Sequence, residues 1–241
     1  MTPTAEHTSV GTQAPGAGTD YFVVGTDTGV GKTLVACALL HVLAQRHERV
    51  CGMKPVASGA VRTPEGWVSD DALALRGCST VRVPTALDNP VLLPDPIAPW
   101  LAAERAQVSV EIDFLAQTYR RLRTRVDAVV VEGAGGFLVP LNEKQTGADL
   151  ATALGLPLVL VVGLRLGCLN HALLTAEAIR ARGLKLAGWV ANRVDPGMEF
   201  VDENIAYLSR HLGAPCWAEL PYLASPSPRE AAARFSGMRL A

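Results

Sequence analysis

The sequence predicts an α/β fold in which one mostly parallel sheet carries helices on both faces. From Tyr21 onward, short runs rich in β-branched residues alternate with helical patterns, which is the arrangement that builds such a sheet. Three of these runs are almost wholly apolar, as expected of strands that are buried on both faces. With 241 residues, 49% of them hydrophobic, the chain can bury a core as one domain.

The predicted elements follow one another in strand and helix order. Strands are predicted at 21–25, 49–55, 127–132, 157–163, 185–191 and 215–219. Helices are predicted at 32–47, 69–76, 110–125, 146–154, 170–182 and 200–212. The proline-rich passage 78–99 is expected to be an ordered loop over the sheet, because too little chain lies on either side of it for two independent cores.

Composition limits the surroundings and partners of the chain. Residues 1–19 are rich in Thr, Gly, Ala and Pro without periodicity, so they are expected to form a disordered tail. The net charge of −1 points to neither nucleic acid nor an anionic membrane surface. Five scattered cysteines without a C-x-x-C pair argue against disulfides and structural zinc, and the longest apolar run, 156–166, is too short to span a bilayer. A cytoplasmic protein is expected.

A glycine-rich stretch, GTDTGVGKT at 25–33, joins the first predicted strand to the first predicted helix. Its end matches the phosphate-binding pattern G-x-x-x-x-G-K-[ST], although Thr26 stands where the first glycine is expected and Gly25 precedes it. In this pattern the lysine reaches the β- and γ-phosphates and the hydroxyl binds magnesium. The stretch therefore predicts a single-domain P-loop NTPase fold in which Lys32 contacts phosphate and Thr33 coordinates Mg²⁺. The alternative is an accidental glycine-rich turn.

Glu132 ends the apolar strand within DAVVVEGAGG, at 127–136. Ligands of open α/β sheets gather at the carboxyl ends of the strands, and a P-loop magnesium ion needs an acidic group there. Glu132 is therefore a candidate magnesium ligand. The alternative is a strand-end glutamate that caps the following glycine-rich turn.

Six stretches together resemble the dethiobiotin synthetase family. They are YFVVGTDTGVGKT at 21–33, KPVASG at 54–59, SDDALAL at 69–75, VEGAGG at 131–136, VVGLRLGCLNHALLTAEAI at 161–179 and LAGWVANRV at 186–194. The resemblance implies one P-loop domain over 20–241. It also implies ATP-dependent carboxylation of 7,8-diaminononanoate with CO₂ and closure of the ring to dethiobiotin, with ADP and phosphate as the other products.

The implied chemistry passes through a carbamate and a carbamic-phosphoric anhydride, so negative charge develops beside phosphate. Fixed cations are needed there, because phosphoryl transfer is catalysed mainly by positioning and charge neutralisation. Lys54 lies at the end of the second predicted strand and is expected to face Lys32 across the reacting groups, with Thr28 near the γ-phosphate and Ser58 on the substrate. Read without the motif, Lys54 would be a solvated strand-end lysine.

The resemblance assigns further residues to ligands. It adds Asp71 to Thr33 and Glu132 in the magnesium shell, although an acid at a helix start is also favoured by the helix dipole alone. Substrate contacts are implied for Lys54, Ser58, Gly167, Cys168, Leu169 and Asn170. Nucleotide contacts are implied for Gly29, Val30, Gly31, Lys32, Thr33, Leu34, Asp71, Glu132, Gly133, Ala134, Gly135, Asn192, Arg193, Pro221, Tyr222 and Leu223.

The segment GLRLGCLNH at 163–171 leads a strand into a helix whose first backbone N–H groups are suited to binding an anion. The resemblance implies that this turn receives the substrate carboxylate, in part from a neighbouring subunit, which predicts a homodimer. His171 is interpreted as structural rather than as a base, and Cys168 as a packed thiol rather than as a nucleophile.

Base recognition is assigned to Asn192, where the family's asparagine reads adenine, and Pro221 to Leu223 are expected to close over the base. The run Asn192-Arg193-Val194-Asp195 also resembles the N-K-x-D motif of guanine-specific enzymes, but Asp195 followed by proline is interpreted as a turn. Gly29 and Pro228 depart from acidic residues of the family, which leaves the magnesium geometry and the ribose contacts open.

Two other classes of protein are compatible with a P-loop. Regulatory ATPases of the partitioning and division-site kind carry an additional lysine early in the loop, where this chain has Asp27, and no terminal basic amphipathic helix is present in the sequence. Amidotransferase-linked cobyrinate or cobyrate synthases need a glutaminase domain for which no length is expected to remain. The Lys54 and Ser58 context argues against a nucleotide-binding module without activity.

Overall fold

The computed structural model describes residues 20–64 and 66–236. The expected tail at 1–19 lies outside them. The elements, in chain order, are β1 (Tyr21–Gly25), α1 (Lys32–Leu43), β2 (Val50–Met53), β3 (Val56–Ser58), β4 (Val61–Thr63), β5 (Gly66–Val68), α2 (Asp70–Cys78), α3 (Thr85–Asp88), β6 (Val91–Leu93), α4 (Pro99–Ala106), α5 (Ile112–Arg123), β7 (Ala128–Glu132), α6 (Gly147–Leu154), β8 (Leu158–Leu164), α7 (Cys168–Ala181), β9 (Leu186–Arg193), α8 (Val201–His211), β10 (Cys216–Leu220) and α9 (Pro228–Ala232).

The main sheet has six strands in the order β10-β9-β8-β1-β7-β2, and every neighbouring pair is parallel. Tyr21 is level with Val130 on one side of β1, and Phe22 is level with Leu158 on the other. Because all six strands run the same way, the loops that follow their carboxyl ends share one edge of the sheet.

Helices cover both faces of this sheet, as predicted. Alternate residues of β1 point to opposite sides, so Phe22 packs in one core with Leu115 of α5 and Ile179 of α7. Val23 packs in the other core with Leu39 of α1. Both cores are built from buried aliphatic side chains, which accounts for the nearly continuous apolar strands in the sequence.

The six predicted strands and six predicted helices are all present, with ends that differ by a few residues. The prediction of a loop over 78–99 is wrong in part, because this passage contains α3 and β6, and α4 begins at its last residue. Strand β6 pairs in parallel with β3. Three-residue strands are too short to give a periodic pattern, which is why the sequence did not reveal them. The hairpin of β4 and β5 and the helix α9 were also not predicted.

Among the described residues, no helix combines the length and the apolar character that crossing a bilayer requires.

Candidate active site

The glycine-rich stretch forms the turn between β1 and α1, at the carboxyl edge of the sheet. Gly29 and Gly31 have φ values of 72° and 90°, which lie in the left-handed region that favours glycine. Lys32 is the first residue of α1, and its Nζ donates a hydrogen bond of 2.9 Å to the carbonyl oxygen of Asp27. Since no side chain caps this helix start, its free N–H groups suit a phosphate group.

Asn192 fastens this turn to β9. Its Nδ2 donates a hydrogen bond of 2.9 Å to the carbonyl oxygen of Val30, and the side chain is buried. A Cβ atom on Gly31 would lie only 2.2 Å from the same Nδ2. Gly31 is therefore required both by its backbone conformation and by the close approach of the Asn192 amide.

Lys54 lies at the centre of a group of charged residues beside the turn. Its Nζ lies 2.7 Å from Glu132 Oε1 and 2.7 Å from Asp71 Oδ2. The hydroxyl oxygen of Thr33 lies within hydrogen-bond distance of the same two carboxylates, 2.8 Å from Asp71 Oδ1 and 2.9 Å from Glu132 Oε1, so they share its single proton. These four residues come from α1, β7, the start of α2 and the segment after β2, and we call them the Lys54 cluster.

Helix α2 brings Asp71 to the cluster. The Ser69 hydroxyl caps the helix by accepting a hydrogen bond of 3.4 Å from the N–H of Ala72, and Asp70 and Asp71 occupy the first turn. Acids are stabilised at this position by the helix dipole. The local sequence therefore fixes both the start of the helix and the direction of the Asp71 carboxylate.

The charges in the Lys54 cluster depend on one another. Burial by itself lowers the pKa of Lys54, but Glu132 and Asp71 outweigh burial and raise that pKa above its usual value. Burial raises the pKa of Glu132, and Lys54 offsets only part of that rise. Burial also raises the pKa of Asp71, but Lys54 more than compensates and the pKa is lowered. The raised pKa of Lys54 favours its charged form and argues against its use as a base.

The oxygens of the cluster fit the chemistry of a magnesium ion. Glu132 Oε2 is buried without a hydrogen-bond partner in the described part of the chain, and the Asp71 carboxylate and the Thr33 hydroxyl converge beside the same residue. Magnesium prefers such oxygen ligands and retains several waters. Within the described ranges, no group of three or more His, Cys, Asp and Glu side chains is placed to hold a metal. A magnesium ion here would rely on the two carboxylates and the hydroxyl, together with water.

A cavity of about 460 Å³ opens in front of Lys54. Thr28 and Asp71 line it near the glycine-rich turn, and Val56, Ile97 and Val139 supply apolar wall. The hydroxyl of Ser58 is buried there without a hydrogen-bond partner within the described residues. An unsatisfied buried hydroxyl is costly unless a ligand completes it, so the cavity suits a molecule with both polar and aliphatic parts.

Comparison with known proteins identifies the family. The chain matches the family described as an AAA domain over residues 19–230. It is 50% identical over 220 residues to the ATP-dependent dethiobiotin synthetase BioD of Xanthomonas oryzae pv. oryzae (strain PXO99A), covering 91% of this chain and 97% of that protein. It is 51% identical over 202 residues to the same-named protein of Xanthomonas axonopodis pv. citri (strain 306), covering 84% and 90%. The chain belongs to the dethiobiotin synthetase family.

Solved structures agree on the fold of this family member. The septum site-determining protein MinD complexed with Mg-ADP, from Pyrococcus horikoshii OT3, is 19% identical and superposes with a TM-score of 0.55, covering 89% of this chain and 84% of that chain. A ParA family ATPase from Chlorobium tepidum TLS is 14% identical with a TM-score of 0.52, covering 90% and 89%. At such low identity these likenesses establish the shared P-loop architecture only.

Many of the predicted nucleotide contacts of this dethiobiotin synthetase family member lie in two places. Gly133 to Gly135 follow β7 beside the glycine-rich turn. A second cavity, of about 280 Å³, is lined by Leu34, Pro221, Leu223 and Glu230. Tyr222 is exposed and does not line that cavity.

Other predicted residues lie apart from both cavities. The guanidinium of Arg193 pairs with Asp202 of α8 at 2.7 Å, and Arg193 lines neither cavity. The same holds for Gly167 to Asn170, at the start of α7. Cys168 is buried in the core, as a packed thiol should be, whereas His171 is exposed. Asp195 forms the predicted turn, where its Oδ1 accepts a 2.9 Å hydrogen bond from the N–H of Gly197.

Sequence reasoning missed two features of the dethiobiotin synthetase site. Asp27 pairs with Arg165, which ties the glycine-rich turn to the segment before α7. In the sequence, Asp27 was informative only as a difference from the regulatory ATPases. The backbone of Lys54 is held by Asp88 and Asn89, from the passage that was predicted to be a loop. No motif marked either contact, since both depend on residues that are distant in sequence.

Proposed function

We propose that the protein catalyses the ATP-dependent formation of dethiobiotin from 7,8-diaminononanoate and CO₂, with ADP and phosphate as the other products. The observation that carries the proposal is the buried Lys54 ammonium, which faces a cavity bounded by the glycine-rich turn and by Ser58. Relatives at about half identity over nearly their whole length bear the name of this activity.

The reaction has three steps in this proposal. One amine of the substrate attacks CO₂ and loses a proton, which gives a carbamate. A carbamate oxygen then attacks the γ-phosphorus of ATP and ADP leaves, which gives a carbamic-phosphoric anhydride. The second amine attacks the carbonyl carbon, phosphate leaves and a proton is lost, which closes the cyclic urea.

The two lysines neutralise the charge that these steps develop. Lys54 keeps its proton because Glu132 and Asp71 hold it, so it can face the carbamate and the transferred phosphoryl group as a fixed cation. Lys32 faces the nucleotide phosphates from the start of α1. A preorganised cation of this kind costs no reorganisation at the moment of reaction. Thr28 lines the cavity beside Lys54 and is assigned to the γ-phosphate, and Ser58 is assigned to the substrate.

A magnesium ion on Thr33, Asp71 and Glu132 would supply charge neutralisation at the phosphates when bound. The residues themselves are already oriented, because the Thr33 hydroxyl lies between both carboxylates and the Lys54 ammonium neutralises part of their charge.

We also propose that the enzyme acts as a homodimer in the cytoplasm. Gly167 to Asn170 do not line the cavity of their own subunit, which supports their use by a neighbouring one. Three leucines near this turn are exposed, with exposed fractions of 49% for Leu138, 97% for Leu166 and 57% for Leu174. Apolar surface of this kind favours association. The five cysteines are free thiols, which suits a reducing compartment.

The decisive experiment is incubation with diaminononanoate, bicarbonate, Mg²⁺ and ATP, followed by mass spectrometry. Dethiobiotin and ADP should appear together and in equal amounts. Release of phosphate without ring closure would remove the assignment and favour a switch ATPase of the partitioning and division-site kind, whose fold this chain shares.

A further inference from the structure

The backbone of Lys54 lies outside any strand or helix, although its side chain is at the centre of the charged cluster. It lies after β2, which ends at Met53, and before β3, which begins at Val56. The ladder of the main sheet therefore stops before it, since the last register pair of β2 joins Met53 to Val131. The peptide groups of Lys54 must be held by something other than the sheet.

Asp88 and Asn89 hold both of these peptide groups. The N–H of Lys54 donates to the carbonyl oxygen of Asp88 at 2.7 Å. The amide of Asn89 donates from Nδ2 to the carbonyl oxygen of Lys54 at 2.8 Å. Both side chains are buried, with exposed fractions of 3% and 5%. Two adjacent residues thus fix the donor and the acceptor of one lysine.

Asp88 is also tied to the helix that carries Asp71. Arg76 of α2 donates two hydrogen bonds to the Asp88 carboxylate, from Nε to Oδ2 and from Nη2 to Oδ1, each 2.6 Å long. Such bidentate pairs are the most directional of ion pairs. These contacts form a closed ring. Lys54 contacts Asp71, which lies on the same helix as Arg76. Arg76 pairs with Asp88, and the carbonyl of Asp88 accepts the hydrogen bond from the Lys54 N–H.

We propose that Arg76, Asp88 and Asn89 are positioning residues that set where the Lys54 ammonium stands relative to Asp71 and Glu132. None of the three lines the cavity at Lys54, so they act through Lys54 rather than on a ligand. The inference rests on the role proposed for Lys54. It adds that this role depends on a buried ion pair outside the cavity.

The chain contains a matched control for the Arg76 pair. Arg123 pairs with the buried carboxylate of Asp20 at 2.8 Å, and its side chain is 22% exposed, against 19% for Arg76. Asp20 precedes β1, so this pair lies at the opposite edge of the sheet from Lys54. Loss of either arginine removes an ion-pair partner from a buried carboxylate and should lower the melting temperature.

The test compares Arg76→Gln, Asn89→Ala and Arg76→Lys with Arg123→Gln. Arg76→Gln and Asn89→Ala should lower kcat about 10- to 100-fold with little change in the KM for ATP, because small misplacements of a reacting group have effects of that size. Arg76→Lys should recover part of the lost turnover, since it retains the cation. Arg123→Gln should lower the melting temperature and leave kcat near that of the wild type. If Arg76→Gln and Asn89→Ala behave like Arg123→Gln, the residues are merely structural and the proposal is overturned.

A second measurement needs no activity. Hydrogen exchange of the Lys54 amide, followed by mass spectrometry on the segment 50–58, should rise more in Arg76→Gln than in Arg123→Gln, where only the loss of global stability contributes. Equal exchange in all three proteins would overturn the proposal even if turnover fell. If the wild-type protein makes no dethiobiotin, the proposed function is wrong but the positioning proposal is not yet contradicted. The exchange result then decides whether these residues hold Lys54.

Discussion

The ammonium of Lys54 lies 2.7 Å from the carboxylate of Glu132, and the two side chains are only 4% and 1% exposed. Burial disfavours both charges, so the Lys54 ammonium depends on Glu132 and Asp71, whereas the Glu132 carboxylate depends on Lys54 against both burial and the nearby charge of Asp71. This buried pair lies beside the glycine-rich turn and presents the Lys54 ammonium to the cavity, and the raised pKa of Lys54 favours retention of its proton. The two lysines of the site should therefore respond differently to mutation.

Lys54→Ala should lower turnover about a hundred- to a thousand-fold, because one well-placed charge contact in a site that excludes water is worth roughly 3 to 4 kcal/mol. ATP binding should change only modestly. Lys32→Ala should impair ATP binding and turnover together, since Lys32 faces the nucleotide throughout. Calorimetric titration with ATP measures binding, and a steady-state assay measures turnover, so together they distinguish the two variants. Lys144 is exposed, and Lys144→Ala serves as the control. A Lys54→Ala enzyme with wild-type turnover would remove Lys54 from catalysis.

ATP binding should be coupled to proton uptake at Lys32. Burial, with Lys54 nearby, lowers the pKa of Lys32 to about 8 from 10.5, so the unfolded chain binds more protons between these pH values. This lysine therefore makes stability increase as the pH rises through that window. Phosphate restores the protonated form, so affinity for ATP should fall as the pH rises above about 8.

Calorimetric titration in two buffers of different ionisation enthalpy measures this proton uptake directly. Lys32→Arg is the matched control, because a guanidinium stays protonated across the whole range. Uptake that is identical in the wild type and in Lys32→Arg would assign the protons to another group.

Gly31→Ala should destabilise the glycine-rich turn by more than the strain of placing alanine in a left-handed backbone conformation. Gly155 has a φ of 64° and no atom within 4 Å of an added Cβ, so Gly155→Ala should cost only the backbone strain, about 1 to 2 kcal/mol. Gly31→Ala carries the same strain and also drives its Cβ into the Asn192 amide. Urea unfolding and ATP titration should show the larger loss in both quantities for Gly31→Ala. Equal effects of the two substitutions would mean that the Asn192 side chain moves away from the added Cβ without loss of free energy.

The dimer should depend on the exposed leucines near the start of α7. Leu166→Asp and Leu174→Asp should produce monomers that have lost most of their turnover, because the turn at 167–170 then completes no neighbouring site. Tyr207→Asp, at an exposed aromatic residue late in α8, should leave the dimer intact. Light scattering under assay conditions measures this, and a fully active monomer would contradict the proposal.

The sequence predicted the elements that have a local signature. Strand β7 and the turn after β1 were found because apolar runs and glycine spacing are read within a few residues. The nearness of Glu132 to Thr33 followed from the rule that carboxyl ends of parallel strands share an edge. Lys54 and Asp71 were added through family resemblance, since nothing in their own neighbourhoods separated them from solvated surface residues.

The contacts between different segments of the chain could not be predicted from the sequence. The pairing of Lys54 with two carboxylates, of Arg76 with Asp88, and of Arg165 with Asp27 all join segments whose separation in the chain carries no pattern. Such contacts are fixed by tertiary packing, and they decide which acids and bases are neutralised. They are also the contacts that control the charge of the site.

The central position of β1 constrains the order in which the protein can fold as it is made. It is the first described strand to leave the ribosome, yet its neighbours β7 and β8 begin about a hundred or more residues later. At about 10 residues per second, β1 emerges on the order of ten seconds before it has any strand to pair with. The glycine-rich turn that it carries gains the Asn192 contact only when β9 has been synthesised. Cellular ATP can therefore stabilise the completed turn only after β9 has been made, and the earlier part of the nascent chain must stay unaggregated until then without help from the nucleotide.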